Sequence, residues 1–135
     1  VQPPVKPAPP ATAASQRRVL VVDDNPDAVD TLSDLLRIEG HEVRPAYGGE
    51  QALEFAREFR PDVAFIDLNM PGLDGFEVAR RIRAESWGTS MTLVALTGMG
   101  QQSEVEQTRQ AGYDYHLTKP ALPDQVLRLA AGHSS

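Results

Sequence analysis

An alternation of strand-like and helix-like segments is what most limits how this chain can fold. Short apolar runs recur, each followed by enough sequence for one helix. Val19-Leu20-Val21-Val22 is closed by two acids, and similar runs return at Val63-Ala64-Phe65-Ile66 and Met91-Thr92-Leu93-Val94-Ala95-Leu96. Such short, mostly apolar runs suit strands buried on both faces. His41 to Ala46 and Tyr113 to Thr118 complete the set of strands. Between them the apolar residues change to helical spacing. Val29, Leu32, Leu35 and Leu36 follow Pro26, which a first helical turn tolerates, and Gly40 stops the run. Gly49 to Phe59 carries Ala52, Leu53, Phe55 and Ala56, and Leu73 to Ala84 carries Phe76, Val78, Ala79 and Ile82. Gln101 to Ala111 offers little beyond Val105 and Ala111 and should pack weakly, whereas Leu122, Val126 and Leu129 form one stripe of a last helix. Five β–α units in succession predict an α/β fold, a parallel sheet with helices on both faces.

The length of 135 residues and the 41% hydrophobic content suit a single core. Residues 1–16, rich in Pro and Ala, have almost nothing to bury and read as an extended linker. Residues 17–132 form the domain, and 133–135 form a short tail. The first residue is Val1, so the chain reads as a piece of something longer. A formal net charge of −6 argues against nucleic acid as a partner, which demands a basic footprint. The absence of cysteine removes disulfides, thiolate metal sites and cysteine nucleophiles, and suits a cytoplasmic location. No apolar run approaches the roughly 18 residues of a membrane span, so no membrane contact is expected of this segment.

In open parallel α/β sheets, ligands bind at the carboxyl ends of the strands. Those ends carry Asp23 and Asp24 after the first strand, Asp67 after the third, Thr97 after the fourth and Lys119 after the fifth. Two carboxylates about 4 Å apart repel by roughly 4 kcal/mol at an effective dielectric of 20, so a cluster of three calls for a cation. Magnesium suits such oxygen donors and bridges readily to phosphate. Lys119 offers a point charge for a phosphoryl oxygen and the Thr97 hydroxyl a hydrogen bond. The set predicts phosphoryl transfer with Asp67 as nucleophile. Alone, an acid pair after a strand is often a helix cap, and a loop lysine is usually a solvated charge. Their joint placement at four strand ends is what points to chemistry.

Four stretches carry a resemblance to a known family: Val21-Val22-Asp23-Asp24-Asn25, Ile66-Asp67-Leu68-Asn69-Met70-Pro71-Gly72-Leu73-Asp74-Gly75, Ala95-Leu96-Thr97-Gly98 and Leu117-Thr118-Lys119-Pro120. From Arg17 to about Ala131 the chain resembles a response-regulator receiver domain of two-component signalling. The resemblance implies a flavodoxin-like sheet of order 2-1-3-4-5 and phosphorylation of Asp67 by the phosphohistidine of a histidine kinase, or by a phosphotransfer protein. It also implies Mg²⁺ held by Asp24, Asp67 and the backbone carbonyl of Asn69, with Asp23 acting through a bound water. Receivers signal through the hydroxyl at Thr97 and a ring three positions before the lysine, here His116, which would turn inward; a small Gly98 would leave room for the movement. The wording around Thr97 and from Tyr113 to Pro120 is similar to receivers appended to hybrid histidine kinases. A stand-alone receiver is the other arrangement, and a weak dimer is a further expectation.

Two other classes fit less well. Phosphatases of the haloacid-dehalogenase type place an acid two residues after the nucleophile, where this chain has Asn69, which cannot transfer a proton. The chain therefore reads as a signalling domain rather than a turnover enzyme. A flavin-binding module would need a phosphate-cradling loop where Asp23-Asp24-Asn25 would repel one. Gly98-Met99-Gly100 lacks the third glycine of a dinucleotide loop. Met99 and Asn69 are expected to tune the phosphoryl lifetime. Trp87 reads as a loop residue partly covering the core.

Overall fold

The computed structural model describes residues 17–98 and 102–132, with side chains from 106 onward in the second segment. The proposed linker, the tail, Met99 and the Val105 side chain lie outside the described residues. Five parallel strands, β1 (Arg18–Val22), β2 (Glu42–Ala46), β3 (Val63–Asp67), β4 (Thr92–Thr97) and β5 (Tyr115–Thr118), form one sheet in the order β2-β1-β3-β4-β5. Helices α1 (Pro26–Ile38), α2 (Gly49–Phe59), α3 (Gly75–Arg83), α4 (Gln102–Ala111) and α5 (Pro123–Ala130) connect or follow them. This is the flavodoxin-like doubly wound fold. Among the described residues, no helix is long and apolar enough to cross a membrane.

Side chains alternate across a strand, so each apolar run divides between two cores. Leu20, Val22, Ala64, Ile66, Leu93 and Ala95 face α2, α3 and the end of α4. Val19, Val21, Val63, Phe65, Val94, Leu96 and Leu117 face α1 and α5. The order reversal at β1 and β3 leaves their carboxyl ends side by side, with β4 and β5 following.

Local chemistry starts the helices where the site needs them. The Asn25 side chain accepts the Asp27 N–H and Pro26 occupies the first turn, so only three residues separate the end of β1 from the start of α1. The Asp74 carboxylate accepts the Glu77 N–H, so α3 begins at Gly75 and the preceding residues remain a loop. The sequence pattern extends this helix back to Leu73, because an apolar residue before a cap fits the helical period equally well.

Two other placements, Leu122 and Tyr113, differ from the sequence reading. Leu122 is 58% exposed, because proline at Pro123 starts α5 and leaves only Val126 and Leu129 of the expected stripe buried. Trp87, by contrast, partly covers the first core as expected, half-buried in a short 3₁₀ turn, Ser86–Gly88, with the Arg60 guanidinium over its ring. Tyr113 precedes β5 rather than opening it, and is buried.

One guanidinium secures the edge of the sheet opposite the strand carboxyl ends. Arg83 donates to the carbonyls of Gly88 (2.8 Å), Met91 (2.7 Å) and Gly112 (2.8 Å), and to Asp114 Oδ2 (2.8 Å), which also accepts the Leu93 N–H. Truncation would strand several acceptors and a carboxylate. Arg83→Ala is expected to lower the unfolding free energy by about 3 kcal/mol, measured by urea denaturation.

Candidate functional site

Asp23 follows β1 directly, and its N–H donates to the Ala46 carbonyl at the end of β2. Its carboxylate accepts the Asn25 N–H at 3.0 Å and the Lys119 ammonium at 2.8 Å. Asp67 ends β3, and its Oδ1 accepts the Asn69 N–H at 3.2 Å and lies 3.4 Å from Lys119 Nζ. Both carboxylates are almost fully buried, whereas Asp24 is exposed. One carboxylate oxygen from each of Asp23, Asp24 and Asp67 falls within 4.8 Å of the others. Lys119 is held by its own backbone, its N–H donating to the Thr97 carbonyl at 2.7 Å across the β4–β5 pair.

The structure thus brings Asp23, Asp24, Asp67 and Lys119 together, with the backbone of Asn69 beside them. Thr97 lies at the same edge, buried at the end of β4, but its hydroxyl donates to the Leu117 carbonyl at 3.4 Å. His116 is exposed on β5 in register with Ala95. A Cβ added at Gly98 would meet nothing within 4 Å, so smallness there is not demanded by this conformation.

Charge in this cluster is unbalanced. Burial pushes the Asp67 carboxyl up to about 6; the Asn69 N–H and Lys119 pull against this, while the charge of Asp23 adds to it. Burial also opposes ionisation of Asp23, but the Lys119 ammonium and the Asn25 N–H outweigh it and hold that carboxyl below its ordinary value. Lys119 is likewise held above its ordinary value: burial works against its charge, and Asp23 and Asp67 more than compensate. Among the described residues one ammonium therefore serves the two buried carboxylates, and a third carboxylate, Asp24, lies beside them. An all-oxygen donor set short of positive charge fits a hard divalent cation such as Mg²⁺.

A family model for the response regulator receiver domain matches residues 19–131. The chain belongs to the response-regulator receiver family. Similar proteins include the DNA-binding response regulator MtrA of Mycolicibacterium smegmatis, 36% identical over 112 residues that make up 83% of this chain and 48% of MtrA. The receiver thus spans about half the length of that relative. Among solved structures, the chemotaxis protein CheY4 of Vibrio cholerae is 31% identical with a TM-score of 0.80, over 84% of this chain and 95% of that one. The receiver domain of the sensor histidine kinase PA1611 of Pseudomonas aeruginosa is 32% identical with a TM-score of 0.77, over 87% and 98% respectively, and holds a magnesium ion in its active-site cleft.

Sequence reasoning gave no role to two residues of this receiver that shape the site. Asn25 both caps α1 and anchors Asp23; an asparagine ahead of a helix-starting proline is a readable signal for the first task only. Gly75 lets the start of α3 press on the end of β3, since a Cβ there would lie 2.6 Å from the Asp67 carbonyl oxygen and 2.8 Å from Leu68 Cα. Nothing in the local sequence signals that approach.

The raised Asp67 pKa sets a direction for stability. An unfolded aspartate titrates near 3.9, so between about 4 and 6 the folded state binds more protons. Ionisation of Asp67 therefore lowers stability as pH rises through that window, by about 3 kcal/mol at most. Without divalent cations, Asp67→Asn is expected to lose this decline and to be the more stable protein near neutral pH. Urea unfolding of both proteins across the window measures it, and identical slopes would contradict the assignment.

Proposed function

We propose that this receiver accepts a phosphoryl group onto Asp67 from the phosphohistidine of a histidine kinase or phosphotransfer protein. The observation that carries this reading is the buried Asp67 carboxylate, 3.4 Å from an ammonium that Asp23 also holds. A carboxylate oxygen of Asp67 attacks phosphorus, the P–N bond breaks, and its electron pair returns to the donor imidazole. An acyl phosphate is left on Asp67. Lys119 Nζ lies close enough to shift from the carboxylates to a transferred phosphoryl oxygen. Asp24, Asp67 and the Asn69 carbonyl are the proposed ligands of Mg²⁺, with Asp23 acting through a water. The ion would neutralise charge on the phosphoryl oxygens.

In the proposed switch, the Thr97 hydroxyl exchanges the Leu117 carbonyl for a phosphoryl oxygen, and the His116 ring moves toward the space beside Ala95. Two observations support this step: among the described residues the Thr97 hydroxyl has only a long bond to the Leu117 carbonyl, and the register partner of His116 is small. A place in a hybrid histidine kinase, in the cytoplasm, agrees with the wording around Lys119 and with the likeness to the PA1611 receiver. A stand-alone receiver is the other arrangement, and MtrA shows that a receiver of this family also occurs within a longer DNA-binding response regulator.

Incubation with radiolabelled acetyl phosphate tests the acceptor. The wild type is expected to take up base-labile label in Mg²⁺ and to lose uptake when the ion is chelated, whereas Asp67→Asn takes up none. Equal labelling of the variant would overturn the reading.

A further inference from the structure

We propose that Tyr113 is a positioning residue for the phosphoacceptor loop: by binding the Gly75 carbonyl, its hydroxyl fixes the 68–74 segment against the Asp67 carboxylate. This deepens the reading of Asp67 as acceptor and rests on it.

The loop leaves β3 at Leu68 and returns to the sheet at Gly75. Gly75 closes it on both sides. Its N–H donates to the Leu68 carbonyl at 3.2 Å, and its carbonyl accepts the Tyr113 hydroxyl at 2.8 Å. Both Tyr113 and Gly75 are buried, and Gly75 lies in tight contact with the backbone of residues 67 and 68. Between these points the loop carries Asn69, whose N–H meets Asp67 and whose carbonyl is the proposed metal ligand. Leu68 and Met70 anchor the loop in the first core, whereas Asn69, Pro71 and Gly72 are exposed, so the backbone around the Asn69 carbonyl depends on how the loop is closed at Gly75.

Tyr113 reaches this point from the other side of the site. It lies between α4 and β5, the strand that leads through His116 to Lys119. The hydroxyl thus ties the segment bearing the ammonium to the segment bearing the metal-ligating carbonyl. A tyrosine that merely filled the core would also need some acceptor for its hydroxyl. What distinguishes this one is its acceptor, the residue packed against the Asp67 backbone.

Tyr113→Phe removes the hydroxyl and leaves the ring. Amide hydrogen exchange, Mg²⁺ affinity by NMR titration and the initial rate of labelling by acetyl phosphate are compared in the full chain. The expected result is faster exchange at Asn69 and Gly75, about tenfold weaker Mg²⁺ binding, the lower end for partners that orient metal ligands, and slower labelling at subsaturating Mg²⁺. Val19→Ala, at the far end of β1, serves as a control that lowers stability without touching the loop, and its Mg²⁺ affinity should stay at the wild-type value. Unchanged exchange and affinity in Tyr113→Phe would overturn the proposal, as would an equal loss of affinity in Val19→Ala. A wild type that takes no label would defeat the acceptor reading alone, because the exchange and Mg²⁺ data still decide the tether.

Discussion

The Lys119 ammonium between Asp23 and Asp67 is the interaction on which the rest of the site depends. Two carboxylates buried this deeply would repel and shed protons reluctantly without it. With it, one is held ionised and the other remains partly uncompensated. That imbalance suits the proposed chemistry, because a site already neutral would gain little from a cation or a phosphoryl group. The lysine serves because its backbone is fixed to Thr97 across the β4–β5 pair, so the charge arrives from the neighbouring strands rather than from a free loop.

The two edges of the sheet handle charge in opposite ways. The carboxyl edge gathers acids and leaves them short of cations. Toward the other edge, arginines lie over aromatic rings, Arg18 over Phe59 at 4.6 Å and Arg60 over Trp87 at 4.9 Å, while Arg83 binds five acceptors at once. These contacts shield apolar surface and join segments without drawing on the acids at the opposite edge. Stability and reactivity are thereby separated along the strand direction. Helix α3 spans the two, with Gly75 pressed on the end of β3 at one end and Arg83 at the other.

The loop between β3 and α3 shows how backbone geometry serves chemistry. Asp74 sets where the helix starts, Gly75 permits the close approach, and the intervening residues return the chain past Asp67. A side chain at position 75 would push α3 outward and open the loop. The Asn69 N–H, which meets Asp67 Oδ1, would move with it.

The strand runs, their order along the chain and the acids at their ends were legible in the sequence. Burial on two faces demands uninterrupted apolar residues, and parallel strands demand intervening helices. Asp23, Asp24, Asp67 and Lys119 were legible for the same reason, since the topology delivers strand ends to one edge. Boundaries set by a single cap, as at Asp74, and the exposure of Leu122 were not, because periodicity does not register where a first turn begins. The tertiary structure alone decided that Tyr113 is buried with its hydroxyl on Gly75, that Gly75 meets the Asp67 backbone, and that Thr97 faces Leu117. The tyrosine and threonine contacts join residues 38 and 20 positions apart, and the Gly75 contact closes an irregular loop; local pattern carries no information about such approaches.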